Sequence, residues 1–172
     1  MVSAALQLFT ESLRIRSSKL GRDHRDVSFT IYNVGLCHQL QGNYKEAIVC
    51  FKETLRVEVH VLGYSHKDVS LTLYKLGEAY KMEGELNEAL DSFKQSLKIE
   101  RSLLLHDPAA IAKTLNEIGN IYLSKGDADQ MMDAFTDAAR MFRRAGLLFS
   151  SVTVSPVLRL YAAGFESAAP AA

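Results

Sequence analysis

Five histidines, two cysteines and a run of aspartates are the residues of this 172-residue chain whose side chains could ligate a metal, attack a substrate or move a proton. Their spacing does not assemble that chemistry. His24, His38, His60, His66 and His106 never form a short-spaced pair with one another on one helical face. Cys37 and Cys50 are neither a Cys-x-x-Cys pair nor numerous enough for a disulfide framework, a usage that suits a reducing compartment. Asp127, Asp129, Asp133 and Asp137 invite a metal or acid–base reading. Acids near a helix N-terminus are favoured by its dipole, however, and those further along make a solvated face. No Gly-x-x-x-x-Gly-Lys-Ser/Thr, Gly-x-Gly-x-x-Gly, Gly-x-Ser-x-Gly or His-Glu-x-x-His motif occurs. No catalytic residue, cofactor or metal is expected.

Lys and Arg number 20 against 20 Asp and Glu, and 48% of residues are hydrophobic, so charge gives no reason to expect nucleic acid or a membrane surface as partner. The N-terminal residues have no basic front, and Glu11 stands where a signal peptide needs apolar residues. The apolar stretch from Gly146 to Phe165 is interrupted by Ser150, Ser151, Ser155, Pro156 and Arg159, which rules out a membrane helix there. A cytoplasmic protein is expected. All three prolines, Pro108, Pro156 and Pro170, lie late in the chain and leave the earlier part free to form long helices.

The elements that carry these residues are set by an internal repeat. Leu20-Gly-Arg-Asp-His-Arg-Asp-Val-Ser returns as Leu62-Gly-Tyr-Ser-His-Lys-Asp-Val-Ser, a period of 42, and residues 20–61 match 62–103 at 16 of 42 positions. A third copy keeps the framework: Gly35, Gly77, Gly119; Gly42, Gly84, Gly126; Phe51, Phe93, Phe135; Thr30, Thr72, Thr114. Ala5, Phe9 and Leu13 stand opposite Ala47, Phe51 and Leu55, so the chain opens on the second half of a repeat. The expected organisation is a repeat array over 1–145 (half repeat 1–19, full repeats 20–61, 62–103 and 104–145), then a capping helix and disordered tail over 146–172. Ser155 and Pro156 start that helix and Gly164 stops it.

Each copy reads as two amphipathic helices, which predicts seven in all. Val27, Ile31, Val34 and Cys37 recur at helical spacing. Asp26 and Asp68 read as N-caps and Pro108 as a first helical residue, while Gly42, Gly84 and Gly126 take the left-handed position after the first helix. Gly35, Gly77 and Gly119 fall mid-helix, where glycine costs about 1 kcal/mol relative to Ala. That predicts a helix contact too close for a Cβ.

Leu73, Leu76-Gly77, Tyr80, Gly84, Ala89 and Phe93, with their equivalents, resemble the tetratricopeptide repeat over Met1 to about Ala145. The 42-residue length, the Leu-Gly-x-x-His-x-Asp-Val junction and Tyr44-Lys45-Glu46-Ala47 are similar to the repeats of the kinesin light chain family. The resemblance implies an all-α, right-handed superhelical solenoid of stacked antiparallel helix pairs, with the first helices lining a concave face.

On those helices the positions not used for packing form a stripe that varies between copies. The expected peptide-binding residues are Tyr32, Asn33, Gln39, Tyr74, Lys75, Glu78, Lys81, Asn116, Glu117 and Asn120. Amides can bond an extended backbone, rings supply area, and Lys75 with Lys81 can pair an acidic side chain. In the family the Asn aligned with Asn33 clasps a peptide backbone, a role the resemblance carries to Asn33 alone.

The function so implied is a non-catalytic adaptor or scaffold holding a protein or peptide. The alternative is a regulatory or oligomerisation fragment of a larger signalling protein or enzyme, which the missing half repeat before Met1 favours. Self-association through the first helix is expected where its apolar face is uncovered.

Overall fold

The computed structural model describes residues 2–103 and 107–146, which contain seven α-helices and no strand. They are α1 (Val2–Leu20), α2 (Arg25–Leu40), α3 (Tyr44–Leu62), α4 (Lys67–Glu83), α5 (Leu86–Ser102), α6 (Pro108–Lys125) and α7 (Ala128–Arg144). Packing divides the chain into two compact units, Met1–Ile99 and Glu100–Ala172. The expected capping helix and tail lie outside the described residues.

The helix starts correct one expectation. His24 and His66, not Asp26 and Asp68, are the N-caps. Each has extended backbone, and its Nδ1 accepts the N–H of Asp26 or Asp68 at 3.1 Å. Nδ1 lies two bonds beyond Cβ, as a carboxylate oxygen of Asp does, so imidazole reaches the same unpaired amide. Asp26 and Asp68 sit inside the first turn, where a negative charge meets the positive end of the helix. In the third copy Asp107 caps instead, its Oδ1 accepting from the N–H groups of Ala109 (2.9 Å) and Ala110 (3.3 Å), with Pro108 inside the first turn as expected.

The helix ends follow the repeat. Gly42, Gly84 and Gly126 have φ of 78°, 85° and 74°. At Gly84 the N–H of Glu85 donates to Tyr80 O at 2.9 Å and that of Gly84 to Lys81 O at 3.1 Å, the two bonds of a Schellman turn. A Cβ built on Gly84 has nothing within 4 Å, so substitution there acts through φ alone. Gly84→Val is expected to cost at least about 1–2 kcal/mol, the left-handed penalty for an L-residue, while Glu85→Ala stays within about 0.5 kcal/mol. Thermal melts of the two variants test this; equal shifts would remove the assignment.

Inside each helix pair the mid-helix glycine meets the phenylalanine of the second helix. A Cβ on Gly35 would stand 2.9 Å from Phe51 Cε1, one on Gly77 2.9 Å from Phe93 Cε1, and one on Gly119 2.5 Å from Phe135 Cε1. Phe51, Phe93 and Phe135 are fully buried; Ala47 and Ala89, four residues before the first two, are buried as well, while their third-copy equivalent is the half-buried Met131. Because the ring lies flush on the helix backbone, the glycine that weakens the helix strengthens the pair. Phe9 and Leu13 of α1 are only half-buried, and α1 has no fully buried residue.

A second contact recurs between a second helix and the first helix that follows it. Arg16 Nη1 donates to Thr30 Oγ1 at 2.8 Å, Thr72 Oγ1 donates to Glu58 Oε2 at 2.8 Å, and Thr114 Oγ1 donates to Glu100 Oε2 at 3.1 Å. Residues 16, 58 and 100 are one repeat apart, as are the three threonines.

Candidate functional site

In the first unit the stripe lies on α2 and α4, and it is less free of packing duty than its variability predicts. Tyr32 and Tyr74 are half-buried, and their rings stand 5.6 and 5.3 Å from those of Phe51 and Phe93. Each tyrosine therefore covers the core ring and lines the surface at once. Burial, then the charges of Glu58 and Glu78, push the Tyr32 hydroxyl up to about 12, so it stays a neutral donor. Asn33 Nδ2 donates to Phe29 O one turn back at 2.7 Å, which leaves its amide oxygen and second hydrogen for a ligand.

Glu78 joins the two helices. It accepts from Lys75 Nζ at 2.7 Å on its own helix and from Gln39 Nε2 of α2 at 3.4 Å. The Lys75 ammonium also stands 5.8 Å from the Tyr74 ring centroid. Gln39, Lys75 and Glu78 are thus one polar cluster, and Lys81, half-buried, lies further along α4. Gln39 Oε1 and His38 Nδ1 are buried without a hydrogen-bond partner.

In the second unit α6 carries Asn116, Glu117 and Asn120. Glu117 and Asn120 are half-buried, but Asn116 is only 2% exposed. The repeat puts it at the position of Tyr32 and Tyr74, so the packing duty of that position persists after the ring is lost. Asn116→Ala therefore removes a buried polar group rather than trimming a solvated one.

Sequence reasoning missed a cavity of the first unit. A cavity of about 350 Å³ opens where the start of α2, the end of α3 and the start of α4 meet. Phe29, 60% exposed, and Leu71, 48% exposed, stand at it with Tyr32 and Leu62, and Glu58 and Thr72 line it as well. Arg25, Asp26 and Asp68 add charge, with Arg25 Nη2 3.3 Å from Asp68 Oδ2. Glu58 is 8% exposed. Burial pushes its carboxyl up to about 7; the Thr72 hydrogen bond lowers it, the Asp68 charge raises it and Arg25 lowers it. The available signal was a polar residue kept at one place in every copy, Thr30, Thr72 and Thr114.

Among the described residues no three His, Cys, Asp or Glu side chains gather as metal ligands, and no helix is long and apolar enough to cross a membrane.

No curated protein matches the sequence. Solved structures match in fold. BtubC (BKLC) from P. vanneervenii is 18% identical with a TM-score of 0.80, over 84% of this chain and 58% of that one. This chain therefore spans little more than half of that protein's length. A Podospora anserina putative kinesin light chain with nearly identical TPR-like repeats is 17% identical with a TM-score of 0.76, over 94% and 74%. The N-terminal domain of stress-induced protein-1 from C. elegans is 16% identical with a TM-score of 0.63, over 83% and 96%. These likenesses show an all-α helical-repeat solenoid fold of the kinesin light chain-like type. The family model described as tetratricopeptide repeat matches residues 3–58 and 28–102, and a second of that description matches 112–143. Such repeats make a protein–protein interaction module, and on this match the chain belongs to the tetratricopeptide repeat family.

Proposed function

We propose that the chain is a non-catalytic adaptor or scaffold that holds an extended peptide segment of a partner protein along α2 and α4. The observation that carries this reading is the cavity between those helices, where Phe29 and Leu71 leave large apolar surface in water beside hydrogen-bonding groups. Apolar walls with a few placed polar groups are what a recognition site needs. Asn33 supplies amide contacts to the backbone of the segment, and Lys75, Glu78 and Gln39 bond its polar side chains. Glu117 and Asn120 are the corresponding groups of α6.

A partner captured with the chain, then trimmed to the shortest segment retained, provides the ligand for the test. Replacing both Asn33 and Lys75 with Ala is expected to weaken binding of that segment by about 1–3 kcal/mol, with helicity unchanged. The Lys75 contribution shrinks as salt rises if it meets an acidic group. Undiminished affinity in the folded double variant would move the site off this stripe.

A further inference from the structure

The cavity at the α2–α3–α4 junction holds more negative than positive charge. Among the described residues that line it, Arg25 is the one Lys or Arg, and that guanidinium is already against Asp68, while Asp26 and Glu58 line the same space. Among the described residues Glu58 makes a single hydrogen bond, from Thr72 to Oε2. The residue is more than nine-tenths buried, and its carboxyl, lining an open cavity with one bond made, retains capacity for a donor from outside the chain. The walls are aromatic and aliphatic: Phe29, Tyr32, Leu62 and Leu71. Apolar walls around an acidic floor fit a side chain that is aliphatic along its stem and cationic at its end.

We propose that this cavity receives the Arg or Lys side chain of an extended peptide, with its stem against Phe29, Tyr32 and Leu71 and its charged end at the Glu58 carboxylate. The inference rests on the peptide-binding reading above and adds the chemistry of the anchor. Arg gains additionally from the ring faces of Phe29 and Tyr32. Neutral Glu58 accepts a cation poorly, so binding and loss of its proton are linked, and the peptide holds better as pH rises through 7. The groups around Glu58 are Arg25, Asp26 and Tyr32 on α2 and Asp68 on α4. The capping imidazoles of His24 and His66 lie 3.9 and 3.7 Å from Asp26 and Asp68. Any pH dependence that survives loss of the Glu58 carboxyl belongs to that surrounding set.

The test uses the whole chain and four labelled pools of nine-residue peptides, their central residue fixed as Arg, citrulline, norleucine or Glu and the other positions randomised. Fluorescence anisotropy is read at pH 6 and pH 8. The Arg pool is expected to bind roughly tenfold tighter than the citrulline pool at pH 8 and to lose roughly tenfold at pH 6, as the ionised fraction of Glu58 falls. Glu58→Gln removes both effects with helicity unchanged, and Phe29→Ala weakens the Arg pool at both pH values. Should Glu58→Gln fail to fold, the pH profile of the unaltered chain decides. Equal binding of the Arg, citrulline and norleucine pools, or preference for the Glu pool, overturns the basic anchor and leaves the peptide-binding reading standing. Binding of none of the pools overturns both.

Discussion

Phe93→Ala is expected to lower the stability of the chain by about 3–5 kcal/mol, the usual loss when a fully buried ring is deleted. The more informative result is Gly77→Ala. Replacing a mid-helix glycine with Ala ordinarily favours the helix by about 1 kcal/mol. Here the new methyl would stand 2.9 Å from Phe93 Cε1, against a fully buried ring, and overpacking of that kind costs about 1–3 kcal/mol. A net loss is expected, and a larger one for Gly119→Ala, whose methyl would come within 2.5 Å of Phe135. The two positions also couple. In the Phe93→Ala background the methyl enters vacated space, so Gly77→Ala should turn neutral or stabilising, and the double variant should be more stable than the sum of the singles. Urea melts of the four chains measure this cycle. Strict additivity, or a stabilising Gly77→Ala on its own, would mean that the ring is not what excludes a side chain from that position.

Glu58→Gln is expected to stabilise the chain above neutral pH. The folded carboxyl, pushed up to about 7 from an ordinary 4.5, holds its proton more tightly than the unfolded one. Its contribution is therefore intact below pH 4.5 and is lost as pH rises to 7 and beyond. That gap corresponds to about 3 kcal/mol at most, less whatever water in the cavity returns to the carboxylate. The amide of Gln cannot ionise, and its oxygen still accepts the Thr72 hydroxyl. Wild type and variant should thus melt alike at pH 4, while at pH 8 the variant leads by about 1–3 kcal/mol. A variant less stable than wild type at pH 8 would show that the ionised carboxylate is held favourably. A site that weakens its own scaffold in this way is what a binding group in a half-dry cavity should look like.

The seven helices and their turns were legible because each depends on local rules that a 42-residue period repeats: apolar spacing, glycine at a left-handed turn, a small residue under a ring. The caps were misread because Asp is the commoner capping residue and stands only two positions after a histidine of the same reach. Asn116 was misplaced because an amide in a position that varies reads as surface. Its burial depends on helix packing, which the repeat register alone does not reveal. Glu58 and Thr72 went unpaired for a similar reason: they are 14 residues apart and on different helices, and only the stacking of α3 on α4 makes them neighbours. Cavities of this kind belong to the spaces between elements, whereas periodicity describes the elements.

The threonine shared by the three copies has an evolutionary consequence. A hydroxyl both gives and takes a hydrogen bond, so the same residue serves a guanidinium at Arg16 and a carboxylate at Glu58 or Glu100. After duplication, one copy could change the sign of its charge in a single substitution without waiting for a compensating change in its neighbour. A repeat unit built on such an ambivalent contact can diverge in polarity copy by copy while this hydrogen bond is kept, which leaves the charge at that junction open to change from one repeat to the next.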